Sequence, residues 1–176
     1  MNLNPGDPAP PFSMESLDHG RVSLEDYRGK ATLLVFSRYF GCPPCQVDWG
    51  DLIDLREETG VEVVYFTQSS PENARRYLEE SPADFPVIPV PEEDGRYRVY
   101  DDYGVGNFGL GTAVKLLMRA REARRAGKVH GEHEGRETQS PADFIVDGEG
   151  VIVRAHFGVF EAEEVLAALR SVDPTG

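Results

Sequence analysis

Both cysteines of this chain lie in one tetrapeptide, Cys42-Pro43-Pro44-Cys45, and the residues around it restrict the folds that can hold it. Ala31 to Ser37 is a continuous apolar run of the kind that a central strand buried on both faces requires. After Gly41 the apolar residues Val47, Leu52, Ile53 and Leu55 recur at helical spacing, and Gly60 stops the pattern. The two thiols therefore sit where a buried strand turns into a helix. Such a junction calls for an open sheet with helices packed on it, an α/β architecture.

Three residues apart, the thiols can close a disulfide within the first helical turn at modest backbone cost. Cys42 falls near the N-cap, where the positive end of the helix dipole favours a thiolate. Cys45 lies one turn further in, placed to resolve a mixed disulfide formed on Cys42. Pro43 and Pro44 have no N–H, which leaves the N–H of Cys45 as the main backbone donor to the Cys42 sulfur. The expected result is a lowered, though not extreme, thiol pKa at Cys42. A zinc site and a pair of inert core thiols stand beside this redox reading. Zinc needs two further ligands, and the close histidine pair, His130 and His133, lies far downstream with the wrong spacing for a zinc finger. Cysteines this close cannot staple distant parts of a chain, so the pattern favours redox chemistry. No metal and no cofactor is expected.

The rest of the chain alternates strand and helix periodicities. Val61 to Thr67 reads as a second buried strand, and Ser70-Pro71-Glu72 opens a helix to about Glu80 with a serine N-cap and a proline in its first turn. Phe85 to Val90 is a short strand interrupted by prolines. Arg96 to Tyr103 reads as a short helix. Thr112 to Ala126 reads as a longer one, basic on one side with Val114, Leu117 and Met118 on the other. His130 to Gln139 is a polar loop. Phe144–Val146 and Val151–Ala155 are strands joined by the turn Asp147-Gly-Glu-Gly150, and Glu161 to Leu169 closes as an amphipathic helix. Upstream, Asn4 to Phe12 is a proline-rich extended lead-in, and Val22 and Leu24 mark a short hairpin or edge strand. The order predicts one domain over 1–176, a central mixed sheet flanked by helices.

The net charge of −13 argues against bulk affinity for nucleic acid or an anionic membrane. That charge is uneven. Between Lys115 and Lys128 six basic residues face the single acid Glu122, a local charge of +5 against −18 for the remainder. This basic stretch is either a solvated helix face or a docking surface for an acidic protein partner. The apolar run at Ala31 to Phe36 is too short to cross a bilayer. Met1 to Pro11 has neither the basic start nor the apolar core of a secretory signal, so a cytoplasmic location is expected. Gly104-Val-Gly106 lacks the glycine spacing of a dinucleotide site.

Three stretches together resemble a known family. Gly6-Asp-Pro-Ala-Pro-Pro-Phe12, Val22 to Lys30 and Leu33 to Cys45 are similar to the opening of the AhpC/TSA (alkyl hydroperoxide reductase/thiol-specific antioxidant) family of the thioredoxin-like superfamily. Tyr100 to Val105, Ser140 to Gly150 and Val153 to Gly158 resemble its later elements. The chain looks nearest to a peroxiredoxin-like branch with a Cys-Pro-x-Cys motif and a basic helical insertion, here 106–139. The resemblance implies a thioredoxin-like fold in which Pro141 is cis and faces the cysteine pair. It implies a disulfide or peroxide substrate and an external dithiol or thioredoxin-type reductant. It also locates a departure. Peroxiredoxins carry threonine three residues, and proline seven residues, before the attacking cysteine, where this chain has Tyr39 and Val35. That favours disulfide exchange over peroxide reduction, unless the Tyr39 hydroxyl stands in. Arg38, four residues before Cys42, is either a partner for its thiolate or a solvated strand-end arginine. Trp49 is expected in core or rim packing, and His156 as a packed or exposed strand residue.

Overall fold

The structure is a computed structural model that describes residues 3–172. It opens with an antiparallel hairpin of β1 (Ser13–Glu15) and β2 (Arg21–Ser23), then a single 3-10 turn at Leu24–Tyr27. The main sheet comprises β3 (Thr32–Phe36), β4 (Glu62–Thr67), β5 (Val87–Pro89), β6 (Ala142–Val146) and β7 (Ile152–Phe157). Its helices are α1 (Pro43–Thr59), α2 (Pro71–Glu80), α3 (Arg98–Asp102), α4 (Leu110–Arg125) and α5 (Ala162–Val172). The strand order is β5-β4-β3-β6-β7, with β3, β4 and β5 parallel, β6 antiparallel to β3, and β7 antiparallel to β6.

Every residue of β3 is buried, as a strand covered on both faces must be. Leu33 and Val35 pack with Trp49, Leu52 and Leu55 of α1 and with Val165 and Leu169 of α5. Leu34 and Phe36 face the opposite side, among Phe66, Phe144, Tyr100 and Tyr103. Burial of each large apolar side chain contributes about 1.5–3 kcal/mol. Trp49 is part of this core, edge-on to Phe40 and Tyr65 and donating its indole N–H to Ser81 Oγ at 2.9 Å. Gly60 ends α1 in the left-handed conformation, with φ of 68°.

Three expectations are corrected. The strand at Phe85–Val90 shrinks to β5, because prolines cannot donate to a ladder. The Ser140–Pro141 peptide is trans, not cis. Trans is the lower-energy state of such a bond by about 0.5–1 kcal/mol. On either side of this bond Ser140 N–H donates to Gly106 O at 2.8 Å, and Pro141 O accepts from Gly158 N–H at 2.9 Å. The third correction concerns α4. Its inward residues are Leu116, Arg119 and Ala123, while Val114, Leu117 and Met118 face solvent. The reason lies on α1, whose Asp48 and Asp51 bind the Arg119 guanidinium at 3.1 and 2.9 Å, joined by Phe160 O at 2.8 Å. Lys115 is likewise paired with Glu161.

Candidate active site

The chain leaving β3 carries the site. Ser37 N–H still donates to Phe66 O in ladder fashion, and Arg38 O accepts from Gln68 N–H at 2.6 Å, so the strand end is clamped to the strand beside it. Phe40 anchors the turn by stacking between Tyr65 and Tyr77, with its N–H on Ser69 Oγ. Cys42 is then the N-cap of α1, Pro43 and Pro44 fill the first turn, and Cys42 O accepts the first helical bond from Gln46 N–H at 3.1 Å.

Both thiols are free and only 2% exposed, packed with Tyr39. The Cys45 thiol donates to Cys42 Sγ at 2.8 Å. This bond is the largest influence on Cys42, lowering its pKa from 9.0 to about 7. Burial opposes it; the Arg38 charge, the Cys45 N–H and His130 assist it. Cys45 moves the other way, pushed well up by burial and by the neighbouring thiolate. The sequence singled out the Cys45 N–H as the donor; the larger contribution is its thiol. Arg38 is a true neighbour of the sulfur, with Nη1 at 3.6 Å from Cys42 Sγ and Nη2 donating to Glu137 O at 2.5 Å.

Tyr39 is drawn into a group that the sequence did not assemble. Its hydroxyl lies 2.9 Å from His133 Nδ1 and 3.2 Å from His130 Nε2, and His133 Nε2 meets Glu137 at 2.9 Å. These residues arrive on the polar stretch after α4, which crosses the site as a strap. Gly131 N–H donates to Gly41 O at 2.9 Å, Gln46 Nε2 reaches Val129 O at 3.2 Å, and Gln68 Oε1 accepts from Arg136 N–H at 2.9 Å. A groove of about 680 Å³ opens between the strap and α4, lined by Arg38, Tyr39, Cys42, Leu117, Arg124 and Lys128 among others. Pro141 lines a separate small crevice with Ser37, Asp48, Tyr65 and Phe160, not this groove. His156 is a packed strand residue bound to the buried Asp143, which also pairs with Arg154.

Asp48, one turn beyond Cys45, is a second perturbed group. Burial outweighs Arg119 and lifts its pKa to about 7.

A model of the AhpC/TSA family matches residues 5–155. The chain belongs to that family. Among AhpC/TSA relatives, a Mycobacterium tuberculosis protein assigned as a peroxiredoxin is 26% identical over 160 residues, spanning 89% of this chain and 87% of its own. A peroxiredoxin-like protein from Aquifex aeolicus has a similar structure, with a TM-score of 0.67 and 18% identity over 98% of this chain and 89% of that one. A DsbF homologue from Corynebacterium diphtheriae gives 0.64 and 17%, over 97% and 91%. The fold is thioredoxin-like, and this AhpC/TSA protein is a thiol-dependent oxidoreductase. His130, His133 and Glu137 escaped the sequence reading because they lie some ninety residues beyond Cys42 in a stretch with no period; their one signal was a histidine pair tested only against zinc spacing.

Proposed function

We propose that the protein is a dithiol disulfide reductase. The Cys42 thiolate attacks one sulfur of a substrate disulfide and expels the other as a thiolate. Cys45 then attacks Cys42 in the mixed disulfide and expels the second substrate thiol. The substrate takes two electrons and leaves as two thiols, and the protein keeps a Cys42–Cys45 disulfide. An external dithiol of thioredoxin type returns the pair to thiols, which suits a cytoplasmic setting. The observation that carries this reading is the opposite perturbation of two sulfurs 2.8 Å apart, one poised as nucleophile and one held protonated. Equilibration in dithiothreitol or glutathione buffers, followed by alkylation, should show a single two-electron transition between Cys42 and Cys45. Thiols that stay reduced under strong oxidant would sink the reading.

Peroxide reduction is the second reading, favoured by Arg38 beside the sulfur and by the peroxiredoxin names of AhpC/TSA relatives. Here the thiolate takes one oxygen of ROOH, leaving a sulfenic acid and RO⁻, which takes a proton from solvent to become ROH, and Cys45 then closes the disulfide with release of water. The second-order rates of Cys42 oxidation by hydrogen peroxide and by a protein disulfide, measured side by side, decide between them.

The outer face of α4 supports a preference among protein disulfides. Leu117, Arg124 and Lys128 line the groove, and the exposed Val114, Met118, Arg121 and Arg125 extend from it. A partner segment carrying acidic and apolar residues beside its cysteine complements this face. Reversing Arg121 and Arg125 to glutamate should slow exchange with an acidic disulfide peptide and leave a small neutral disulfide unaffected. Equal rates on the peptide would remove α4 from recognition.

A further inference from the structure

The side chains beside Cys42 form a chain of four hydrogen-bond contacts. Glu137 Oε1 meets His133 Nε2, His133 Nδ1 meets the Tyr39 hydroxyl, that hydroxyl meets His130 Nε2, and His130 Nδ1 meets Gly131 O. Their lengths are 2.9, 2.9, 3.2 and 2.8 Å. Each contact needs one hydrogen. A carboxylate and a carbonyl only accept, so His133 Nε2 and His130 Nδ1 must both be protonated. If the two imidazoles are neutral, both nitrogens facing Tyr39 are bare, and its single hydroxyl hydrogen can serve only one of them. One added proton completes the set. Placed on His133 Nδ1, it donates to the Tyr39 oxygen while the Tyr39 O–H donates to His130. The Glu137 carboxylate behind His133 balances that charge, the Cys42 thiolate attracts it, and Arg38, Arg124 and Lys128 around the groove oppose it.

We propose that this network is the acid of the reaction: Tyr39 protonates the group that leaves when Cys42 attacks, and His133 replaces the proton. Tyr39 is then a catalytic residue: its side chain lines the groove beside Cys42 and packs with both cysteines. His130, His133 and Glu137 act through it as positioning residues. The proposal rests on the dithiol reading of the site. In the first step the Cys42 sulfur bonds to one substrate sulfur and the other departs with the electron pair of the broken S–S bond. The Tyr39 hydroxyl turns from His130 to that sulfur and gives up its proton. The proton on His133 Nδ1 passes to the phenol oxygen, leaving His133 neutral. In the second step the thiol hydrogen of Cys45 ends on the second departing sulfur, so two thiols leave and two protons are accounted for. Burial and the adjacent thiolate raise the Tyr39 pKa, which keeps the phenol protonated between turnovers.

Such an acid matters only where the leaving group needs a proton. An alkyl thiolate is basic and leaves slowly as an anion; an aromatic nitrothiolate leaves readily without one. The experiment measures exchange of the full chain with oxidised glutathione and with a bis-nitrobenzoate disulfide, for wild type, Tyr39→Phe and His133→Ala. Removal of a general acid typically costs 10²–10⁴-fold, so both variants should slow the glutathione reaction by about 10²-fold or more. They should slow the aromatic reaction far less, and an unchanged circular dichroism spectrum and melting temperature show that both variants are folded. Equal losses on both disulfides, or no loss on glutathione, overturn the proposal. Failure of wild type on both disulfides overturns the dithiol reading and this proposal with it, and is distinct from a defect confined to the variants.

Discussion

Cys45→Ala tests the source of the Cys42 thiolate. The Cys45 thiol supplies the largest stabilising contribution, and burial pulls in the opposite direction. Without the donated S–H bond, Arg38, the backbone N–H and His130 must offset burial alone. The Cys42 pKa should then return from about 7 to its ordinary 9.0 or above. At pH 7 the thiolate fraction falls from about one half to about one in a hundred, roughly fifty-fold. A more basic thiolate is also a better nucleophile, with a Brønsted slope of about 0.4–0.5, which returns roughly tenfold. Alkylation of Cys42 by iodoacetamide should therefore slow about five-fold at pH 7 and speed up about tenfold once both forms are fully ionised. Crossing of the two rate profiles between those limits is the signature. Cys45→Ser keeps a hydroxyl donor and should fall between the two. A Cys45→Ala protein whose Cys42 still titrates near pH 7 would refute the assignment and give the leading role to Arg38 or the helix terminus.

Two further outcomes follow from buried groups. Asp48 has a folded pKa of about 7 against an ordinary 3.8, so its contribution to stability is fully present below about pH 3.8 and is lost as the pH rises through 7. Wild type should lose at most about 4 kcal/mol across that window relative to Asp48→Asn in urea unfolding at matched pH; identical pH slopes would contradict the assignment. Gly41→Ala places a methyl carbon 2.5 Å from the Glu132 backbone oxygen, so it should detach the strap at a cost of about 1–3 kcal/mol. Hydrogen exchange at the Gly131 amide reads this directly, and unchanged protection there would mean that the strap is held elsewhere.

The framework was legible in the sequence because its elements follow period and punctuation. The uninterrupted apolar run at Ala31–Ser37 became β3, Ser70-Pro71 became the start of α2, and Asp147 to Gly150 became the turn between β6 and β7. The cysteine pair was legible for the same reason, since its position at a strand–helix junction is a local property. What stayed hidden was non-local. The expected division of α4 into a basic and an apolar side is broken by Arg119, which turns inward while Val114, Leu117 and Met118 stay exposed. Hydropathy cannot register that Asp48 and Asp51 wait on the opposing helix. Pro141 was assigned a cis bond through family resemblance, and nothing in the residues around it demands one. The histidines lay in a segment without periodicity, whose path is set by contacts with Gly41, Gln46 and Gln68.

Those contacts explain why the strap passes over the cysteines. Arg119 fixes α4 to α1, the helix that begins at Cys42, so the chain leaving α4 starts beside the site. It must end at β6, which pairs with β3, the strand that leads into the site. A direct route between those two points crosses the mouth of the strand–helix junction. Side chains at 39 and 41 decide whether the chain can lie there. Gly41 leaves room for backbone against backbone, with the Gly131 N–H on its carbonyl, and Tyr39 offers a hydroxyl that two histidines reach. The position where peroxiredoxins carry threonine is thus occupied by a residue long enough to reach the strap. Tyrosine at 39, glycine at 41 and the histidines at 130 and 133 form one structural unit. A change at any of them should loosen the strap that the others hold over the strand–helix junction.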